Sequence, residues 1–154
     1  MYIILTVVLV LLDQLTKNYA IVNLKGQEML ELIPNWLYLT YLENKGAAFG
    51  FLKDKPWFFT IVASVVVVVL IAFLLKYRNN LDRFYKLILA IIIAGALGNL
   101  IDRFRYGYVV DFIFSPLGGV YNFPVFNFAD IYLSVSVFIM IIYIMLIEGK
   151  GHDS

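Results

Sequence analysis

The chain has no cysteine, a single histidine and four prolines, and only 15% of its 154 residues are charged. Without cysteine there is no disulfide, no thiolate nucleophile and no thiolate metal site. The one histidine, His152, stands near the C-terminal end, so a Ser-His arrangement elsewhere is excluded by inventory. Neither GxSxG nor HExxH occurs, and a catalytic zinc would need an all-carboxylate shell, which suits that metal poorly. The net charge of +1 lacks the concentrated basic face that nucleic acid requires. Around Met1 to Val22 there is no basic start and no small-x-small cleavage site, so a cleaved signal peptide is not expected.

What the chain has in abundance is apolar residues, 62% of the total with a mean hydropathy of +0.86, against about 45 to 50% in soluble domains. It reads as an integral membrane protein. Trp57 to Leu75 is uncharged and matches the roughly 20 residues a helix needs to cross a bilayer. Ile131 to Ile147 is a second uncharged run, and Leu87 to Ile101 a third, extended by letting Lys86 snorkel to the interface. Tyr2 to Leu12 is too short alone but continues through Asp13, Leu15 and Tyr19 to Val22 as a helix with a polar stripe. The expected fold is a mainly α membrane protein, one domain over 1–154, with spans at about 2–22, 57–76, 84–103 and 128–147.

Between the middle spans, Lys76, Arg78, Arg83 and Lys86 face only Asp82, whereas 25–55 mixes lysines with acids. The positive-inside tendency makes the short connector cytoplasmic. Four spans then put both termini inside and the segments 23–56 and 102–130 outside. In the first of these, Trp36 to Leu42 (WLYLTYL) predicts a short strand or interfacial sheet. The stretch 112–126, with Ser115-Pro116, Gly118-Gly119 and Pro124, is turn-rich and aromatic. Together they predict a small outer platform of sheet and loop, with the 53–56 turn or the 115–124 loop as a lid.

Asp13, Asn44, Asn99, Asp102, Asp111, Asn127 and Asp130 interrupt the apolar runs near that outer face. An ionisable group held near hydrocarbon is costly unless paired and marks a functional site by default. With histidine and cysteine excluded, any hydrolysis must be carboxylate chemistry. Asp111 and Asp130, each in a short apolar setting, are the candidate pair: two aspartates close together cannot both ionise easily, which leaves a general acid beside a general base. Each residue also has a plainer use. Asn127 to Asp130 before an apolar run looks like a helix N-cap with an acid at N3, and Asp111 alone resembles a turn acid.

Asp13 and Lys17 have the spacing of an ion pair on one helical face. Asp102-Arg103 either anchors a helix end at the interface or turns Arg103 toward a substrate carbonyl or lipid phosphate. Ala94, Gly95 and Gly98 permit close helix packing. Asn44 to Gly50, with Gly46 among its small residues, allows either close approach of a substrate backbone or simply a tight turn.

In this order, Asp13-Gln14-Leu15-Thr16-Lys17, Asn44 to Gly50, Gly98 to Arg103, Val110-Asp111-Phe112 and Asn127-Phe128-Ala129-Asp130 resemble the motifs of the bacterial lipoprotein signal peptidases, or signal peptidase II. The resemblance spans essentially the whole chain; a local difference is Ala94-Gly95, where many relatives carry paired glycines. It implies an aspartyl endopeptidase, without cofactor or metal, that cuts prolipoprotein signal peptides just before the diacylglyceryl-modified cysteine. It makes Asp111 and Asp130 the catalytic dyad and assigns Asn44, Gly46, Asn99, Asp102, Arg103, Asn127 and Ala129 to the site that binds substrate and globomycin-type inhibitors. Asp13 and Lys17 become supporting residues. It also implies a bacterial cytoplasmic membrane location with membrane lipid as a partner and the site toward the outer leaflet.

Two other classes compete. A small transporter would use Asp13, Asp102 and Asp130 as a proton or cation relay, but the span from Trp57 to Leu75 offers only Thr60 and Ser64. A scaffold recruiting partners through its aromatic outer loops leaves the costly acids unexplained.

Overall fold

Four long helices dominate, and their ends are set by identifiable local chemistry. In the computed structural model, which describes residues 1–46 and 56–151, α1 runs Tyr2–Asn23, α2 Pro56–Tyr77, α3 Arg83–Tyr106 and α4 Phe128–Gly151. The Asp82 carboxylate accepts the Tyr85 N–H and starts α3. Gly107, at φ 77°, ends it, its N–H donating to the Arg103 carbonyl. All four helices are long and apolar enough to cross a membrane. Large side chains such as Val65, Val68 and Val69 on α2 point outward, as lipid-facing residues do where hydrocarbon is the solvent.

The centre of the bundle is α3, packed against each of the other three helices. Its second half carries Gly95 and Gly98 for that reason. A Cβ on Gly95 would meet the Ala129 carbonyl at 2.6 Å, and one on Gly98 would run into the Asp13 carboxylate. These two positions let α1 and α4 approach closely enough for their polar groups to reach α3.

At the end where α1 and α3 finish and α4 begins lies a four-stranded antiparallel sheet, in the order β1 (Leu30–Ile33), β2 (Leu37–Asn44), β3 (Val109–Ser115) and β4 (Phe123–Phe126). The aromatic stretch expected to form a strand is β2. The turn-rich segment resolves into β3, a 3-10 turn at Leu117–Gly119 and β4. Val110 and Phe112 pack with Ala20 and Leu24 in a core joining the sheet to α1. Asp111, placed by sequence in a loop, lies in β3 opposite Leu42, with no exposed surface.

Positions 47–55 and 152–154 lie outside the described residues. So do Ala47 to Gly50 of the small-residue segment, the 53–56 lid candidate up to Pro56, and His152.

Candidate active site

Helix α4 begins at a capping box whose members also belong to the site. Asn127 Oδ1 accepts the Asp130 N–H at 3.0 Å, and Asp130 Oδ2 accepts the Asn127 N–H at 3.1 Å. The capping use and the site use are therefore one arrangement. The same Asn127 side chain donates through Nδ2 to Asp111 Oδ1 at 2.6 Å. One amide thus bridges the segments that carry the two aspartates.

The remaining carboxylate oxygens are also held. Asn44 Nδ2 donates to Asp111 Oδ2 at 2.8 Å, and Asn99 Nδ2 donates to Asp130 Oδ1 at 2.8 Å. Asn44 is itself oriented by the Gly46 N–H, which donates to its Oδ1 at 2.9 Å. Burial pushes the Asp111 carboxyl up to about 6; the Asn44 hydrogen bond pulls against that, and the nearby Asp130 charge adds to it. Two carboxylates within electrostatic reach, one of them titrating near neutrality, can share a proton and act as acid and base.

Behind the pair lies a second, fully buried group. Lys17, 2% exposed, reaches Asp13 Oδ2 at 2.9 Å, Asp102 Oδ2 at 3.0 Å and Asn99 Oδ1 at 2.9 Å, using all three ammonium protons. Each carboxylate then holds a backbone segment. Asp13 Oδ1 accepts the Ala129 N–H at 3.0 Å, next to Asp130. Asp102 Oδ2 accepts the Val110 N–H at 3.1 Å, next to Asp111. A buried ion pair is worthwhile only when further hydrogen bonds satisfy its lone pairs, and here no buried side-chain nitrogen or oxygen among the described residues lacks a partner.

All eleven site residues named from the sequence lie at this end of the bundle, but they do different things. Asn44, Asn99 and Asn127 touch the aspartates directly. Asp102 faces Lys17, Gln14 and Val110, and Ala129 is enclosed between helices, so both belong with Asp13 and Lys17 behind the pair. Arg103 is half-buried, close enough for its charge to act on Asp130, Asp111 and Asp102, with Nη1 donating to the Asn99 carbonyl at 3.4 Å. It lines a cleft of about 360 Å³ with Trp57, Thr60, Ile61, Phe104 and Gly107. A second cleft, about 230 Å³, opens beside Asp130 between Phe123, Phe126 and Ser134.

Sequence reasoning gave no role to Gln14, whose Nε2 donates to Asp102 Oδ1 at 2.9 Å and to the Gly98 carbonyl at 3.2 Å. An amide beside Asp13 within an apolar span was the available signal. It also missed the link from Lys25 to Glu43 at 2.9 Å, extended by Tyr41, which donates to Glu43 at 3.2 Å. Nothing in the spacing of those residues marks it. Among the described residues no three His, Cys, Asp or Glu side chains are grouped to hold a metal ion.

A multi-pass membrane protein with two amide-clamped aspartates, one in a small sheet and one at the start of a helix, has the parts of a membrane-embedded peptidase. The sequence model described as "Signal peptidase (SPase) II" matches residues 5–146, and the chain belongs to that family. The lipoprotein signal peptidase of Clostridium tetani is 41% identical over 149 residues, covering 97% of this chain and 95% of that one. That of Streptococcus agalactiae is 41% identical over 152 residues, covering 98% and 96%. A solved bacterial membrane enzyme superposes with a TM-score of 0.82 at 37% identity, covering 93% of this chain and 91% of the other.

Proposed function

We propose that this protein is an aspartyl endopeptidase that removes signal peptides from diacylglyceryl-modified prolipoproteins, cutting N-terminal to the lipidated cysteine. The observation that carries this reading is the clamping of Asp111 and Asp130 by Asn127, which bonds to both aspartates at once. The lipoprotein signal peptidases it is similar to supply the substrate class.

The dyad carries one proton. Burial, which pushes Asp111 up to about 6, favours placing that proton there. Asp130 takes a proton from a water held between the two, and the water oxygen adds to the scissile carbonyl carbon. The Asp111 proton passes to the developing oxyanion. As the tetrahedral intermediate collapses, the C–N bond breaks, the hydroxyl proton returns to Asp111 and the leaving amine takes a proton from Asp130. Asn44, Asn99 and Asn127 hold the carboxylates in register, so that little reorganisation is needed during the step.

Arg103 lies at the open side, where its guanidinium suits a peptide carbonyl, and the clefts beside Arg103 and Asp130 provide room for the extended chain. The diacylglyceryl chains remain among lipid or on apolar helix faces. Globomycin-type inhibitors occupy the same space. The sheet lies at the outer face of a bacterial cytoplasmic membrane, with both termini inside, in keeping with the cationic connector between α2 and α3.

The test is cleavage of a diacylglyceryl-modified lipobox peptide in lipid, with a chelator present, by the unsubstituted protein, Asp111→Asn and Asp130→Asn. Cleavage before the lipidated cysteine by the unsubstituted protein alone is expected. Undiminished turnover by either folded variant would overturn the assignment.

A further inference from the structure

The opposite end of the bundle carries a groove that the peptidase chemistry does not use. Helices α1 and α2 both lean on α3 but barely touch each other. A wedge of about 330 Å³ opens between them, walled by Ile3 and Val7 of α1, Leu74 and Leu75 of α2, and Ile93 and Leu97 of α3. The polar groups at its edge are already engaged: Thr6 Oγ1 donates to the Ala90 carbonyl at 3.1 Å, and the Tyr2 hydroxyl donates to the Arg83 carbonyl at 3.3 Å. The walls offer an occupant only hydrocarbon contact.

The mouth is different in kind. Leu75 is followed by Lys76, and Tyr2 touches Arg83, so the groove opens directly at the connector bearing Lys76, Arg78, Arg83 and Lys86. The one acid there, Asp82, is engaged on both oxygens, by the Tyr85 N–H at 2.8 Å and the Tyr143 hydroxyl at 2.6 Å. Lys86 donates to the Arg78 carbonyl at 3.0 Å, and Lys76 lies over the Tyr77 ring at 5.2 Å. Among the described residues, neither the Arg78 nor the Arg83 guanidinium forms a salt bridge, and both residues are exposed. A hydrocarbon slot ending at uncompensated arginines is complementary to a molecule with an apolar tail and an anionic head.

We infer that this groove binds an anionic phospholipid, with an acyl chain between α1 and α2 and the headgroup phosphate at Arg78 and Arg83. Basic clusters at a helix end, next to an interhelical groove, favour anionic over zwitterionic headgroups by coulombic attraction, and arginine pairs with phosphate through two parallel N–H donors. The occupant would wedge α1 against α2 at the end where the protein itself supplies little contact between them.

The experiment is native mass spectrometry of the full-length protein, released from detergent containing equal amounts of phosphatidylglycerol and phosphatidylethanolamine with matched chains. Phosphatidylglycerol should be retained about tenfold over phosphatidylethanolamine. The double variant Arg78→Gln/Arg83→Gln should lose that preference. Val7→Trp, at a half-exposed wall position, should lower retention of both lipids by filling the slot. Equal retention of the two lipids by the unsubstituted protein, a preference surviving in the double variant, or full retention by Val7→Trp would each overturn the proposal. The readout is lipid retention, so it stands or falls separately from peptide cleavage.

Discussion

The Lys17 ammonium donates to Oδ1 of Asn99 at 2.9 Å, and that contact fixes which way the Asn99 amide faces. With its oxygen committed to Lys17, Asn99 presents Nδ2 to Asp130, 2.8 Å away. A lysine one helix away thereby determines that Asp130 meets a donor rather than an acceptor.

Asn99→Asp should therefore be worse than Asn99→Ala. The alanine variant removes one hydrogen bond to a carboxylate, costing about 1.5 to 3 kcal/mol, or roughly 10- to 100-fold in kcat/KM. The aspartate variant replaces the donor with a third acid facing Asp130. Steady-state cleavage kinetics on both variants would decide, and equal losses would contradict the amide's assigned direction.

Lys17→Met leaves Asp13 and Asp102 buried without their shared cation. Removing one partner of such a pair costs about 3 to 5 kcal/mol. Denaturant unfolding in detergent should show a loss of that size, with cleavage impaired because the Ala129 and Val110 backbones lose their anchors. Unchanged stability would mean that the triad is not formed.

Asp111 provides a signed pH dependence. Its folded value, about 6, lies above the ordinary 3.8, so the carboxyl is neutral in both states at low pH and costly to ionise in the fold. Its contribution to stability is full below about 3.8 and is lost as pH rises through about 6. Asp111→Asn should flatten the stability profile across that window. In the active protein kcat/KM should fall as pH rises past about 6, and Asn44→Ala should move that limb upward, because the lost hydrogen bond was lowering the value. A limb that stays in place or moves down would exclude Asn44 as the group acting on Asp111.

Gly98→Ala tests the close approach of the helices. The new methyl would run into the Asp13 carboxylate and lie 3.2 Å from the Ala129 Cβ. Overpacking of this kind costs about 1 to 3 kcal/mol, and here it also displaces a residue that holds the start of α4. Thermal melts and cleavage assays should both decline; a variant with the original melting temperature would show that the helices can part without penalty.

The four helices were legible because hydropathy accumulates residue by residue along the chain. Sequence spans of 57–76 and 84–103 correspond to helices Pro56–Tyr77 and Arg83–Tyr106, the latter running on until Gly107 permits the left-handed turn. The Asn127-Asp130 cap and the Asp13-Lys17 pair were legible for a similar reason: partners three or four residues apart meet on any helix. The polar inventory named residues that the fold does bring together, five of the seven interrupting groups being buried and Asn44 and Asp130 partly so.

What only the tertiary structure decided is which of those groups touch. Asn44 reaches Asp111 because antiparallel register sets β2 beside β3, and Asp13 reaches the Ala129 N–H because two glycines let α1, α3 and α4 close together. Asp102 could be assigned to substrate by motif, yet helix rotation turns it to Lys17. Asp111 looked like a loop acid until strand pairing buried it. Hydrophobic patterning specifies where each segment sits relative to lipid. Hydrogen-bond partnership depends on register and rotation between segments far apart in the chain, and those are fixed only when the whole bundle packs.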